Sequence, residues 1–135
     1  SMATISAVRD GLQTIAATVT GLRASDIIPG EINPPALVVI PDHAEPRTVT
    51  KTRDLEVYRL RLVVSAESTR TAQDQLDGYL STSGTTSIRV ALNANQNLGI
   101  AGVKAMWMGW DNYGHNDWAG LTYFGADVLV EVANS

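Results

Sequence analysis

Leu55-Glu56-Val57-Tyr58-Arg59-Leu60-Arg61-Leu62-Val63-Val64-Ser65-Ala66 is the stretch from which the fold of this chain is read. Tyr58, Leu60, Leu62, Val64 and Ala66 fall on one face of an extended backbone; Arg59, Arg61 and Ser65 fall on the other, with Val57 and Val63. Side chains alternate across a strand, so this run predicts a strand with one face in a core and the other wet or at an interface.

Upstream of it, Asn33-Pro34-Pro35 forces an extended backbone that leads into the apolar run Ala36-Leu37-Val38-Val39-Ile40, which Pro41 ends. That is the pattern of a short buried strand. Residues 41–54 are polar, with Pro41, Pro46 and several threonines, and read as a loop or arm. Further upstream, Ile5, Val8, Leu12, Ile15, Val19 and Leu22 recur three and four residues apart and make one helical face over residues 4–22. Thr4 is placed to cap that helix and Gly21 to stop it. The stripe is too short for a coiled coil, so it predicts a helix laid on a sheet.

Downstream, a helix is expected from Ser68 or Thr69, with Ala72, Leu76, Tyr79 and Leu80 inward and Thr82-Ser83-Gly84 breaking it. A short helix over Ser87–Asn93 follows, using Ile88, Ala91 and Leu92. Two more strands, Ile100–Trp110 and Leu121–Val132, close the chain. The turn formers of Asp111-Asn112-Tyr113-Gly114-His115-Asn116-Asp117 read as the long tip of the hairpin between them. The order α-β-β-α-α-β-β predicts an α+β fold: a four-stranded, largely antiparallel sheet with helices packed on one face.

The chain has 135 residues, the usual size of one domain, and the whole of 1–135 reads as one. Ser1-Met2 reads as a cloning remnant before a native Met start. With no cysteine, disulfides, zinc thiolates and thiol catalysis are excluded. A net charge of -4 argues against wholesale nucleic-acid binding. No stretch has the apolar length of a membrane helix, and Arg9, Asp10 and Gln13 interrupt the first helix too early for a signal peptide. The expectation is a protein made in the cytoplasm with no membrane partner.

Candidate chemistry is sparse. His43 stands with Asp42 and Glu45 between Pro41 and Pro46, and His115 stands with Asp111 and Asp117. Both groups read as polar turns rather than metal sites, since ligands normally converge from separate fixed elements. There is no Gly-x-Ser-x-Gly elbow, and Gly99-Ile100-Ala101-Gly102 leads into a strand without the lysine of a phosphate loop. The expectation is no enzyme, no cofactor and no metal.

Charge and aromatics are more informative. Arg47, Lys51, Arg53, Arg59 and Arg61 fall within fifteen residues, half the basic complement of the chain. This stripe is either a solvated face or a surface that meets an acidic one on another copy or a partner. Asp127 and Glu131, outward on the last strand, could be that acidic surface or could pair with Arg59 and Arg61 within one sheet. Trp107, Trp110, Tyr113, Trp118, Tyr123 and Phe124 crowd around the last hairpin, and simple alternation puts Trp107 and Trp110 on opposite faces. Trp110, Tyr113 and Trp118 are candidate interface anchors.

Three segments carry a family resemblance: Thr4-Ile5-Ser6-Ala7-Val8-Arg9-Asp10-Gly11-Leu12, Ile32-Asn33-Pro34-Pro35-Ala36-Leu37-Val38-Val39 and Tyr123-Phe124-Gly125-Ala126-Asp127-Val128-Leu129-Val130-Glu131-Val132. In these and in element order the chain resembles the small tail-completion proteins of long-tailed phages, especially those infecting actinobacteria. The type it is most similar to is the tail terminator, with head–tail connector and minor tail proteins as neighbours. The resemblance implies a virion protein with no catalytic residues, assembled in the host cytoplasm. It further implies a homo-oligomeric ring, a hexamer in that type, which caps the tail tube and docks to the head connector. DNA at most passes through such a ring. A small ligand-binding domain or enzyme using the residues 111–118 is the alternative from another class.

Overall fold

The computed structural model describes residues 4–19, 22–25, 35–46, 54–65, 70–100, 102–118 and 121–134. Helix α1 is Ile5–Ala16, and the Thr4 hydroxyl caps it by accepting from the Ala7 N–H at 3.1 Å. It stops a turn and a half earlier than the apolar spacing predicts. There the Thr18 hydroxyl donates to the Ile15 carbonyl at 2.6 Å, and the N–H groups of Thr18, Val19 and Leu22 bond three residues back. A β-branched residue whose hydroxyl takes a backbone carbonyl favours such an ending. Val8, Leu12, Ile15, Val19 and Leu22 are buried, so the stripe keeps its role past the end of the helix, whereas Ile5, expected on the same face, is 50% exposed in the first turn. Gly21, expected to stop the helix, lies outside the described residues.

Among the described residues five strands form one sheet: β1 Arg23–Ser25, β2 Ala36–Pro46, β3 Asp54–Ser65, β4 Val103–Trp118 and β5 Leu121–Asn134, in the order β1-β2-β3-β5-β4. The four long strands are antiparallel, as the α+β reading expects. β1 is an addition, pairing parallel to β2 from Arg23↔Ala36 to Ser25↔Val38; three residues are too few to show a period in the sequence.

Two segments expected as loops are strand. Residues 41–46 continue β2, paired with β3 from Pro41↔Tyr58 to Pro46↔Asp54, with the register shifting across Asp42. Proline is compatible with a strand at a bulge or on an open edge, and β2 has both here: among the described residues β1 covers it only as far as Val38. Residues 47–53 of the expected arm lie outside the described residues.

Residues 111–117 likewise belong to β4, which pairs with β5 as far as Trp118↔Leu121. Two register shifts, between Trp107 and Gly109 and between Asp111 and Gly114, absorb the residues that made the segment look like a turn. Gly109 at φ 133 and Asn112 at φ 55 supply the backbone these bulges need. The first bulge corrects the alternation of the tryptophans. Trp107 pairs with Val130 and Trp110 with Val128, both core residues, so both indoles lie on the same face and Met108 is the residue in excess.

Helices α1, α2 (Arg70–Leu80) and α3 (Ile88–Asn93) pack on that face. Val8, Leu12, Leu76, Tyr79, Ile88 and Leu92 meet Leu60, Leu62, Ala126, Val128 and Val130 in one continuous core. Each fully buried aliphatic side chain contributes about 1.5–3 kcal/mol. Gly125 marks the tightest approach: a Cβ there would run into the Leu62 carbonyl of β3. On the opposite face Ala36, Val38 and Val63 form a small second cluster. No described helix is long and apolar enough to cross a membrane.

Candidate functional site

Two surfaces stand out, one on each face of the sheet. On the face away from the helices, Asp127 of β5 lies directly opposite Arg61 of β3 and Asp111 of β4. Its carboxylate is 0% exposed and accepts from Arg59 Nη1 at 2.9 Å, Arg61 Nε at 3.1 Å, Arg61 Nη2 at 3.2 Å and Asn112 Nδ2 at 2.9 Å. Two carboxylates facing each other across neighbouring strands repel. Here Arg59 Nη1 sits between them, 2.8 Å from Asp111 and 2.9 Å from Asp127. Arg59 Nε reaches Asp42 in the β2 bulge at the longer distance of 3.5 Å. The bulge in β4 makes the arrangement possible, because it lets Asp111 and Asn112, consecutive in sequence, serve the same face.

The energetics favour an ionised Asp127. Burying a carboxylate costs several kcal/mol, while each hydrogen bond from a charged donor returns about 1.5–3 kcal/mol, and three of the four donors here are guanidinium N–H groups. Burial pushes the Asp127 carboxyl up, but the hydrogen bonds from Arg61, Asn112 and Arg59 outweigh it and hold the group below the usual carboxylate range. An acid kept ionised and out of reach of water is a clamp between strands rather than a proton carrier. Of the two sequence readings, pairing within the sheet is present for Asp127, whose carboxylate is taken up by Arg59, Arg61 and Asn112. Arg59 and Arg61 are committed to it, so they are not a free basic stripe.

The remaining candidates separate. Arg47, Lys51 and Arg53 lie outside the described residues, as do the side chains of His43, Glu45 and Trp118. Glu131 pairs in register with Val57 and Met106 on the clamp's face and is partly exposed. His115 lies opposite Phe124 with their rings 5.7 Å apart, on the helix side, while Asp111 is turned to the other face and Asp117 accepts from Thr122 at 3.0 Å. These three do not converge. Among the described residues no group of three His, Asp or Glu side chains could hold a metal ion.

The second surface is the edge formed by β4 beside α2. Trp110 and Tyr113 are 49% and 40% exposed, their rings 5.7 Å apart and tilted by 51°. Tyr113 also meets Phe124 edge-on at 5.6 Å and donates its hydroxyl to Asp77 of α2 at 2.8 Å. Burial, with Asp77 and Asp74 nearby, pushes the Tyr113 phenol up. Asp77, Leu80 and Ser81 complete an open groove of about 490 Å³. Met108, in the bulge, is 51% exposed further along the same strand. Lower down, the Ala105 N–H donates to the Gln96 carbonyl at 2.7 Å, so the loop after α3 covers the strand edge there. Asp77 and the β4 bulges are the parts that sequence reading missed. Gly109 and Gly114 within a run of aromatics were the available signal for the bulges. No protein-family model and no curated protein matches this sequence.

Proposed function

We propose that the chain is a structural subunit of a phage virion, a tail terminator whose copies form a ring that caps the tail tube and joins it to the head connector. The observation that supports this best is the aromatic edge. A single copy leaves Met108, Trp110 and Tyr113 half in water along the outermost strand of its sheet. Exposed tryptophan and tyrosine beside a groove are the usual anchors of a protein interface. Ring closure needs two different surfaces on each copy, meeting head to tail. Two edges would serve: β4 on one side and, on the other, the part of β2 that among the described residues runs beyond its short pairing with β1. The resemblance in the three segments quoted above supplies the biological setting.

Mass measurement in solution across a concentration series, with negative-stain imaging, tests the reading, as does addition to purified tail tubes. Rings, or subunits that add at the tube end and stop its growth, are expected. A strict monomer that also fails to add to tubes overturns the proposal. Addition to the head connector alone would identify a different head–tail joining protein.

A further inference from the structure

The groove between α2 and the upper part of β4 has a character beyond being apolar. Two aromatic rings tilted to one another, Trp110 and Tyr113, line it. Its wall is the C-terminal end of an 11-residue helix with no basic residue in its last turn. A helix end of this kind carries partial negative charge on its last carbonyls, which a cation ordinarily offsets. Asp77 adds a full negative charge at the same place. One of its oxygens takes the Tyr113 hydroxyl, and among the described residues no lysine or arginine is paired with it. The ion pairs of the described residues lie instead on the other face of the sheet, around Asp127. The groove therefore combines aromatic faces with negative charge that no described cation offsets.

From this we infer that the Trp110–Tyr113–Asp77 groove is a docking site for an arginine-bearing segment of a partner polypeptide. The guanidinium is flat and weakly hydrated, so it can stack on an aromatic ring while donating to a carboxylate at its edge. Lysine carries the same charge but fits the stacked geometry less well. A purely apolar side chain would cover the indole and leave Asp77 with its charge partly desolvated, which is unfavourable. The site stands on this geometry whether or not the chain caps a tail tube.

The test is a titration of the full chain with an acetylated, amidated Gly-Arg-Gly-Arg-Gly peptide, followed by NMR at the Trp110 indole N–H and the Ser81 amide. Peptides with citrulline, which keeps the shape without the charge, and with leucine in place of arginine are the comparisons. Saturable shifts at both positions are expected. Affinity should be about tenfold weaker for the citrulline peptide and in Asp77→Asn and Trp110→Ala, and should decline with salt. Asp77→Asn keeps an acceptor for Tyr113, so it tests charge while the groove stays assembled. No saturable shift at Trp110 overturns the inference. So does equal or tighter binding of the leucine peptide, or unchanged affinity in Asp77→Asn.

Discussion

The carboxylate of Asp127 is closed off from water and held by four donors from two strands; strand alternation offers Arg59 and Arg61 as its partners, but not Asn112. Replacing Asp127 with asparagine keeps the volume but leaves Arg59 and Arg61 facing a neutral amide. Because both guanidiniums retain some solvent access and Arg59 keeps Asp111, the cost should fall at the lower end for a broken buried pair, about 2–4 kcal/mol in urea unfolding. A change under about 0.5 kcal/mol would show that the clamp is ornamental. The pH dependence follows from the same bonds. The folded carboxyl titrates below its unfolded value of about 3.9, so its contribution is fully present above that pH and is lost as pH falls through the folded value. Unfolding free energy of the parent protein should therefore decline below about pH 4, and the decline should be shallower in Asp127→Asn. Gly125 is a residue-scale constraint of a different kind. Gly125→Ala places a methyl against the Leu62 carbonyl, and forcing β3 and β5 apart should cost about 1–3 kcal/mol in the same measurement.

At the scale of elements, strand β4 decides where the functional side chains go. Its two bulges put Trp107 and Trp110 on one face and Asp111 and Asn112 together on the other, which no strict alternation allows. Deleting Met108 would remove the first bulge and turn the preceding strand over. Trp107 would leave the core face, where Arg89 of α3 lies 6.0 Å from its ring. Severe destabilisation is expected, about 3 kcal/mol or more, whereas Met108→Ala, which keeps the extra residue, should cost under about 1 kcal/mol. Similar losses for the two would argue against the bulge as the determinant. Ser87 shows the opposite case, an element boundary that was legible. The sequence pattern puts it at the start of the short helix, and its hydroxyl accepts from the Val90 N–H at 3.2 Å while donating to the Ser81 carbonyl at 2.5 Å. Ser87→Ala loses both bonds in a buried setting and should lower stability by about 1–2 kcal/mol. Why some features were legible and others not has one physical basis. The apolar stripes of α1 and α2 and the alternation of β3 are repeated signals, so they identified helices, strands and core. Bulges at Asp42, Met108 and Asn112 are single-residue events that reset the count without changing composition, and polar residues that look like a turn then extend a strand. The candidate site inherits this: Trp110 and Tyr113 were visible as aromatics near polar neighbours, but their alignment with Asp77 depends on the bulges.

Over the whole molecule, the sheet divides two jobs between its faces. The clamp face satisfies Asp127 internally and stabilises the chain, whereas the helix-side edge of β4 leaves Trp110 and Tyr113 partly exposed. On the proposed assembly, this division makes folding and association separable by mutation. Trp110 is half in water in the single copy, so Trp110→Ala forfeits only about half of what a buried tryptophan would, roughly 1.5–2.5 kcal/mol of folding stability. In an interface the same indole would be fully covered, and truncating an anchor residue there costs at least about 2 kcal/mol, close to thirtyfold in affinity. Combined with Tyr113→Ser, which also removes the bond to Asp77, the loss of self-association or tube addition should exceed what the change in unfolding midpoint accounts for. The measurement pairs thermal unfolding with sedimentation velocity on the same samples. If the double variant associates as the parent does, the exposed aromatics belong to the chain's own packing and do not carry the proposed assembly. If it stays folded but no longer associates, the β4 edge is the contact surface that the proposed assembly requires.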